Sequence, residues 1–213
     1  LKQIYSPNDL KSLSLGELQK VNDELREYII STITKIGGHL APTLGVVELS
    51  TALHYVFDTP RDKIIWDVGH QAYAHKILTG RYKKFKSIRQ HKGLSGFLKI
   101  SESEYDSFGA GHASTSISAA LGIAVSRDQN NKNFKVVSVI GDGALTGGLS
   151  YEGLINAGHR RKQFLVILND NEMSISPNVG AINTYLNKLV TNPIYNRLRD
   201  EIWNLTGSIP WER

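Results

Sequence analysis

Cysteine is absent from the 213 residues, which excludes a disulfide framework, a thiol nucleophile and any metal site built on thiolate. A bound metal would have to use oxygen or imidazole. Long apolar runs are missing too. Stretches such as Phe164 to Leu168 fall far short of a membrane span, and the first residues carry no hydrophobic signal core, so the chain reads as soluble. Nor is there a strong excess of one charge: 25 Lys+Arg against 20 Asp+Glu give +5, which suits anionic ligands without implying nucleic acid. No nucleic-acid-binding module is recognisable, and the basic runs Arg81 to Lys86 and His159 to Lys162 read as solvated helix faces. Internal repeats and low-complexity segments do not occur. What is present, 40% hydrophobic and 21% charged residues, is the composition of a globular chain with a real core. The length fits one large α/β domain.

Ser14 and Glu17 form a capping-box pattern, and Leu18, Val21, Leu25, Ile29 and Ile33 recur at helical spacing until Gly37-Gly38, which predicts a long amphipathic helix. Val46 to Phe57 reads as a second helix, Lys63 to Val68 as a strand ending at Gly69-His70, and residues 71 to 90 as two helical pieces broken around Gly80. From 91 to 113 glycine is frequent and periodicity poor; a loop of that length inside a compact domain tends to be functional. Ser114 to Arg127 then reads as a helix, Phe134 to Ile140 as a buried strand, Gly148 to Arg161 as a helix and Phe164 to Leu168 as a second buried strand. Strand, helix, strand with nearly continuous apolar runs implies a parallel β-sheet flanked by helices on both faces. Beyond Asn169 strand signals cease, and residues 181 to 205 are polar and weakly helical. A start at Leu1 without methionine and a tail that stops at Arg213 read as part of a longer chain.

The strongest local signal is Val136 to Ile140 followed by Gly141-Asp142-Gly143-Ala144. In a doubly wound sheet the ligand crevice lies at the carboxyl ends of the strands, where this turn falls. Glycines let backbone N–H groups approach a phosphate, and the following helix presents its positive end. A carboxylate beside a phosphate is repelled unless a cation lies between, and Mg²⁺ binds phosphates together with one or two protein oxygens. The next strand ends in Asn169-Asp170-Asn171-Glu172-Met173, which places further oxygen ligands at the same edge. Either cluster alone is an ordinary turn; together on consecutive strand ends they point to one shared ion.

Gly-Asp-Gly followed by Asn after the next strand resembles the thiamine diphosphate–magnesium motif of the transketolase-like enzymes. Longer words, Gly37-Gly38-His39-Leu40-Ala41, Leu44 to Leu49, Trp66-Asp67-Val68-Gly69-His70-Gln71, His75 to Arg81 and Asn169 to Ser176, resemble the 1-deoxy-D-xylulose-5-phosphate synthase family in particular, along essentially the whole chain. The resemblance implies the thiamine diphosphate-binding fold, here as the diphosphate-binding domain, with residues 1–213 an N-terminal diphosphate/Mg-binding portion, 177–213 a mobile or partly helical extension, and the pyrimidine-binding and C-terminal domains elsewhere.

Residue by residue, the resemblance implies Asp142, the side chain of Asn171 and the backbone carbonyl of Met173 as magnesium ligands, and Gly143 and Ala144 against the diphosphate. Gly111-His112-Ala113 matches a second cofactor loop; Ala113 stands where many members have serine, which leaves only backbone or steric contact there. His70 matches a histidine that contacts the cofactor, and His39 one near the reacting carbons that helps move protons on the substrate. His54, His75, His91 and His159 have no such warrant, and Tyr73 and Lys76 read as structural or peripheral. Glu48, Glu152 and Glu172 do not match the glutamate that activates the cofactor. The implied activity is thiamine diphosphate-dependent decarboxylation of pyruvate and condensation with D-glyceraldehyde 3-phosphate, in a homodimeric, cytoplasmic bacterial or plastid stromal enzyme. The alternatives are a transketolase and a non-catalytic metal–phosphate binding module.

Overall fold

The capping box at Ser14 forms in the computed structural model: Ser14 N donates to Glu17 Oε2 at 2.8 Å and Glu17 N to Ser14 Oγ at 3.4 Å. It opens α1 (Leu15–Ile36), whose Leu18, Val21, Leu25, Ile29 and Ile33 are buried, as their spacing predicts. The structure describes residues 1–170 together with Pro193 and Arg197. The expected extension over 177–213 therefore lies outside the described residues, as do Asn171 and Met173. The chain divides into two units, Leu1–Met173 and Ser174–Arg213.

After α1 come α2 (Ala41–Leu44) and α3 (Val47–Val56), then β1 (Lys63–Trp66) and α4 (Tyr73–Lys76), which continues as a π-turn over Ile77–Arg81. Helical dihedrals lapse at Thr79 and Gly80, where the break was expected. β1 is shorter than its apolar run, because Val68 has φ 57°, a left-handed conformation costly for a β-branched residue. From Ile88 to Thr115 there is no helix or strand. Then follow α5 (Ser116–Gln129), β2 (Val136–Gly141), α6 (Asp142–Leu145), α7 (Gly148–Arg160) and β3 (Leu165–Asn169). No helix among the described residues is long and apolar enough to cross a membrane.

The sheet runs β1-β2-β3, all parallel, with Ile64 opposite Val137 and Ile140 opposite Leu168. Side chains alternate between faces. Ile64, Trp66, Val137 and Val139 pack with Val46 and Leu53 beside α3, while Ile65 and Val136 pack with Ala120 and Ala124 of α5. Both faces are thus helix-covered, as expected. β2 is buried from Val136 to Ile140 but β3 is not: Leu165 is 47% and Leu168 42% exposed, which corrects the expectation of a second buried strand. β3 is a sheet edge among the described residues, and an apolar run does not disclose whether another element lies across it.

The basic run at Arg81 also needs correcting. Lys83, Lys84 and Lys86 are exposed, but Arg81 and Phe85 are buried; Lys76 is wholly buried, which decides between the structural and peripheral readings in favour of the first.

Candidate active site

Three parallel strands end at one edge, and each leads into a segment that the sequence marks as functional. β1 leads through Asp67 and Val68 to His70. β2 leads into Asp142, the first residue of α6, while β3 leads to Asp170 beside it, because Gly141 and Asn169 are register partners. Gly143 and Ala144 lie within the single turn of α6. Of the three expected magnesium ligands only Asp142 falls among the described residues. Within those residues no group of three or more His, Asp or Glu side chains is arranged to hold a metal.

The Gly111-His112-Ala113 loop reaches this edge by two links. Asp67 Oδ2 accepts from Ser116 N at 2.9 Å, tying the end of β1 to the start of α5. Gly147, just beyond α6, has no room for a side chain: a Cβ there would stand 2.4 Å from Ser114 Oγ. The segment Gly111-His112-Ala113 is therefore laid beside the Gly-Asp-Gly turn. His112 and Ala113 are exposed and Gly111 half-buried.

His39, His70 and His112 come from three separate loops and meet. Their ring centroids are 5.4 Å (His39 to His70), 5.8 Å (His70 to His112, stacked) and 6.1 Å (His39 to His112) apart. Phe97 closes the cluster, 5.5 Å from His112 edge-on and 6.0 Å from His39. Gly69 permits this closure. Its φ is 83°, and a Cβ would lie 3.1 Å from Leu98 N and 3.2 Å from Ala110 Cβ, so only a bare backbone lets the 91–113 loop fold over the His70 loop.

Burial, then the neighbouring His39 and His112, lower His70 to about 4, and its Nδ1 is buried without a hydrogen-bond partner. Burial, then Arg89 and His112, also lower His39. Arg89 Nη1 lies 3.4 Å from His39 Nδ1. A guanidinium can only donate, so Nδ1 accepts and the His39 proton resides on Nε2. The cluster gathers three imidazoles and one guanidinium at a single edge, where His39 and His70 are held toward the neutral form and offer a proton donor and an acceptor.

Sequence reasoning gave no role to Thr43, Phe97 or Arg89, and placed Tyr73 no more closely than structural or peripheral. The buried Thr43 hydroxyl stands 2.8 Å from the His39 carbonyl and 3.0 Å from that of His70, fastening the two histidine loops together. His39 N donates to Tyr73 Oη at 3.4 Å. A threonine in a single helical turn carries no periodic signal; only Phe97, an aromatic placed directly after Gly96 in a glycine-rich loop, could have been singled out. Thr43→Val keeps the shape but leaves both carbonyls without that donor, and should lower stability by about 1–3 kcal/mol. Thermal melting checks this, and an unchanged midpoint with unshifted His39 and His70 imidazole resonances would remove the fastening role.

A family model described as 1-deoxy-D-xylulose-5-phosphate synthase matches residues 1–211. Over 210 residues the chain is 59% identical to the 1-deoxy-D-xylulose-5-phosphate synthase of Carboxydothermus hydrogenoformans, covering 99% of this chain and 34% of the relative. It is 57% identical to that of Caldanaerobacter subterraneus subsp. tengcongensis over the same shares. With the protein of that name from Alkaliphilus oremlandii the identity is 56%, again over 99% of this chain and 34% of the relative. The chain thus spans about a third of the length of these curated relatives. A family match over residues 1–211, which takes in the histidine loops and the Gly-Asp-Gly turn, together with relatives more than half identical, settles the family: the chain belongs to the 1-deoxy-D-xylulose-5-phosphate synthases.

Proposed function

We propose that these residues are the diphosphate- and magnesium-binding portion of a transferase that decarboxylates pyruvate and joins the remaining two carbons to D-glyceraldehyde 3-phosphate, giving 1-deoxy-D-xylulose 5-phosphate and CO₂. The product would feed isoprenoid, thiamine and pyridoxal synthesis. The observation that carries this reading is the convergence of His39, His70 and His112 at the strand edge that also holds Asp142.

The donor set fits thiamine diphosphate and Mg²⁺. Asp142, Asn171 and the Met173 carbonyl are hard oxygen donors, the class Mg²⁺ selects when it also binds phosphate. Gly143 and Ala144, with Gly111-His112-Ala113 from the neighbouring loop, would hold the diphosphate. The partnerless Nδ1 of His70 is a buried polar atom suited to a ligand group. When bound, thiamine diphosphate supplies a nucleophilic carbon and the electron sink that loss of CO₂ from a 2-oxo acid requires.

The chain's own residues orient reactants and handle protons. His39 keeps Nδ1 toward Arg89, which leaves its Nε2 proton for a substrate oxygen. His70, neutral well below neutral pH, binds without adding charge near the dication. Phe97 shields one side of the His39 imidazole. The pyrimidine-binding and C-terminal domains, a homodimer and a cytoplasmic location complete the proposal.

In the intact protein, Asp142→Ala is expected to abolish Mg²⁺-dependent binding of thiamine diphosphate in isothermal titration, since it removes the charged ligand of the set. Normal affinity in that variant would overturn the site assignment. Release of CO₂ from pyruvate, rather than consumption of a ketose donor, separates this reading from a transketolase.

A further inference from the structure

Behind the 91–113 loop lies a buried network of charged side chains that the proposed chemistry does not use. Two carboxylates of the loop meet two cations of the α4 segment. Asp106 takes Arg81 in a two-pronged grip, Nη1 to Oδ2 at 2.8 Å and Nη2 to Oδ1 at 2.7 Å. Glu102 Oε1 accepts from Arg81 Nη1 at 3.0 Å and from Lys76 Nζ. Asp106 is 1%, Lys76 0% and Arg81 6% exposed. Each carboxylate also holds an amide of its own loop: Asp106 Oδ2 accepts from Lys99 N at 3.1 Å, and Glu102 Oε2 from Ser95 N at 2.8 Å.

A relay of imidazoles continues the network inward. His75 Nε2 lies 3.2 Å from Asp106 Oδ1, His75 Nδ1 lies 2.9 Å from His54 Nε2, and His54 Nδ1 lies 3.0 Å from Thr59 Oγ1. Burial alone would raise the Asp106 carboxyl, but the hydrogen bonds from His75 and Arg81 and the Arg81 charge outweigh it and hold the group well below the usual carboxylate range. Ionised Asp106 can only accept, so His75 donates through Nε2 and accepts at Nδ1. His54 then donates through Nε2, and the Thr59 hydroxyl donates to His54 Nδ1. Two cations, two carboxylates and two neutral imidazoles balance in charge.

The loop so held has no helix or strand to define its path. The amides at Ser95 and Lys99 bracket Phe97, and Asp106 precedes His112 by six residues. We propose that Asp106, gripped by Arg81 and His75, is a positioning residue: it fixes the loop so that Phe97 walls the half-buried imidazole of His39. It touches neither reactant nor cofactor and acts through Phe97. The kinetic part of this inference rests on the activity proposed above; the geometric part does not.

The test measures the rate at which diethylpyrocarbonate modifies each histidine in the intact, cofactor-free protein, with exposed His159 as internal control. Asp106→Asn is expected to raise the rate at half-buried His39 about fivefold or more by loosening the loop, with the exposed His112 and His159 unchanged. Phe97→Leu is expected to give the same rise without the loss of thermal stability that accompanies Asp106→Asn. In the double variant the rise is expected not to add further, because both changes act on one wall. An unchanged rate at His39 in Asp106→Asn, or additive rates in the double variant, overturns the proposal. If Asp106→Asn does not fold, Glu102→Gln carries the same comparison. In turnover assays both single variants are expected to lower kcat with the KM for pyruvate held. A fall in kcat without the change in modification rates would contradict the wall while leaving the proposed activity intact; the changed rates without any turnover in the wild type would do the reverse.

Discussion

Arg81→Met is expected to destabilise the protein by about 3–5 kcal/mol, the usual consequence of removing one partner from a buried ion network. Methionine retains much of the aliphatic volume, so the loss is electrostatic rather than a cavity. Two carboxylates would then remain behind the loop with Lys76 as the one full counter-charge in the network, and Thr79 Oγ1 would lose the Arg81 Nη2 donor at 2.7 Å. Arg81→Lys is expected to recover little, because one ammonium cannot bridge Asp106 and Glu102 in the two-pronged geometry of a guanidinium. Urea unfolding measures the effect as a shifted midpoint at constant slope. The shift should depend only weakly on salt, since buried pairs are poorly screened. A loss below about 1 kcal/mol, the range of exposed ion pairs, would show that water reaches the network.

The second large effect is on acid stability. His54 and His75 are wholly buried and both are held below the ordinary imidazole value. For His54 the causes are burial, then His75 and Arg81; for His75, burial prevails over the opposing hydrogen bond to Asp106. Unfolded, each takes up a proton near pH 6.5; folded, each does so only at lower pH. The unfolded state therefore binds more protons as pH falls below about 6.5, and stability declines in that direction. Where both are charged unfolded and neutral folded, the slope approaches about 2.7 kcal/mol per pH unit, twice the 1.36 of a single group. His70 adds to the same trend until about pH 4, more weakly because solvent reaches it. Asp106 acts lower: its depressed folded value preserves stability down to the unfolded carboxylate value near ~3.9, and the contribution is lost as pH falls from there through the folded value. Denaturant titrations between pH 4.5 and 8 would show the slope. Flat stability from pH 5 to 7 would mean that the two imidazoles charge inside the fold.

How much of this is legible in the sequence depends on the range of the interaction. The capping box at Ser14 and the stripe from Leu18 to Ile33 are local and appear as read. The strand at Val136 is legible because its run is apolar on both faces, but the same logic fails at Leu165, where exposure is decided by what lies across the sheet edge. The histidines of the candidate site were legible as three glycine-histidine words after predicted elements, a pattern that the ring contacts among His39, His70 and His112 match. Arg81 was misread because charged residues usually face water, and Lys76 was placed no more closely than structural or peripheral for the same reason. Their carboxylate partners, Glu102 and Asp106, come at least 21 residues later in a segment without periodicity. Thr43 left no trace, since its role is a meeting of two carbonyls that only the folded chain brings together.

Because the three strands point the same way, the chain always leaves the sheet on the histidine side and returns on the other. The return turns, among them Asn130 to Asn133 with exposed Asn131 in the left-handed region at φ 51°, carry none of the groups assigned to the recess. A reporter dye, an affinity handle or an added stretch of residues placed there lengthens a connection on the opposite rim of the sheet. The same addition between Val68 and His70, or between Gly111 and Ser114, would fall among the groups the fold has gathered. The molecule therefore has a side that tolerates handling and a side that does not, and strand direction alone tells them apart.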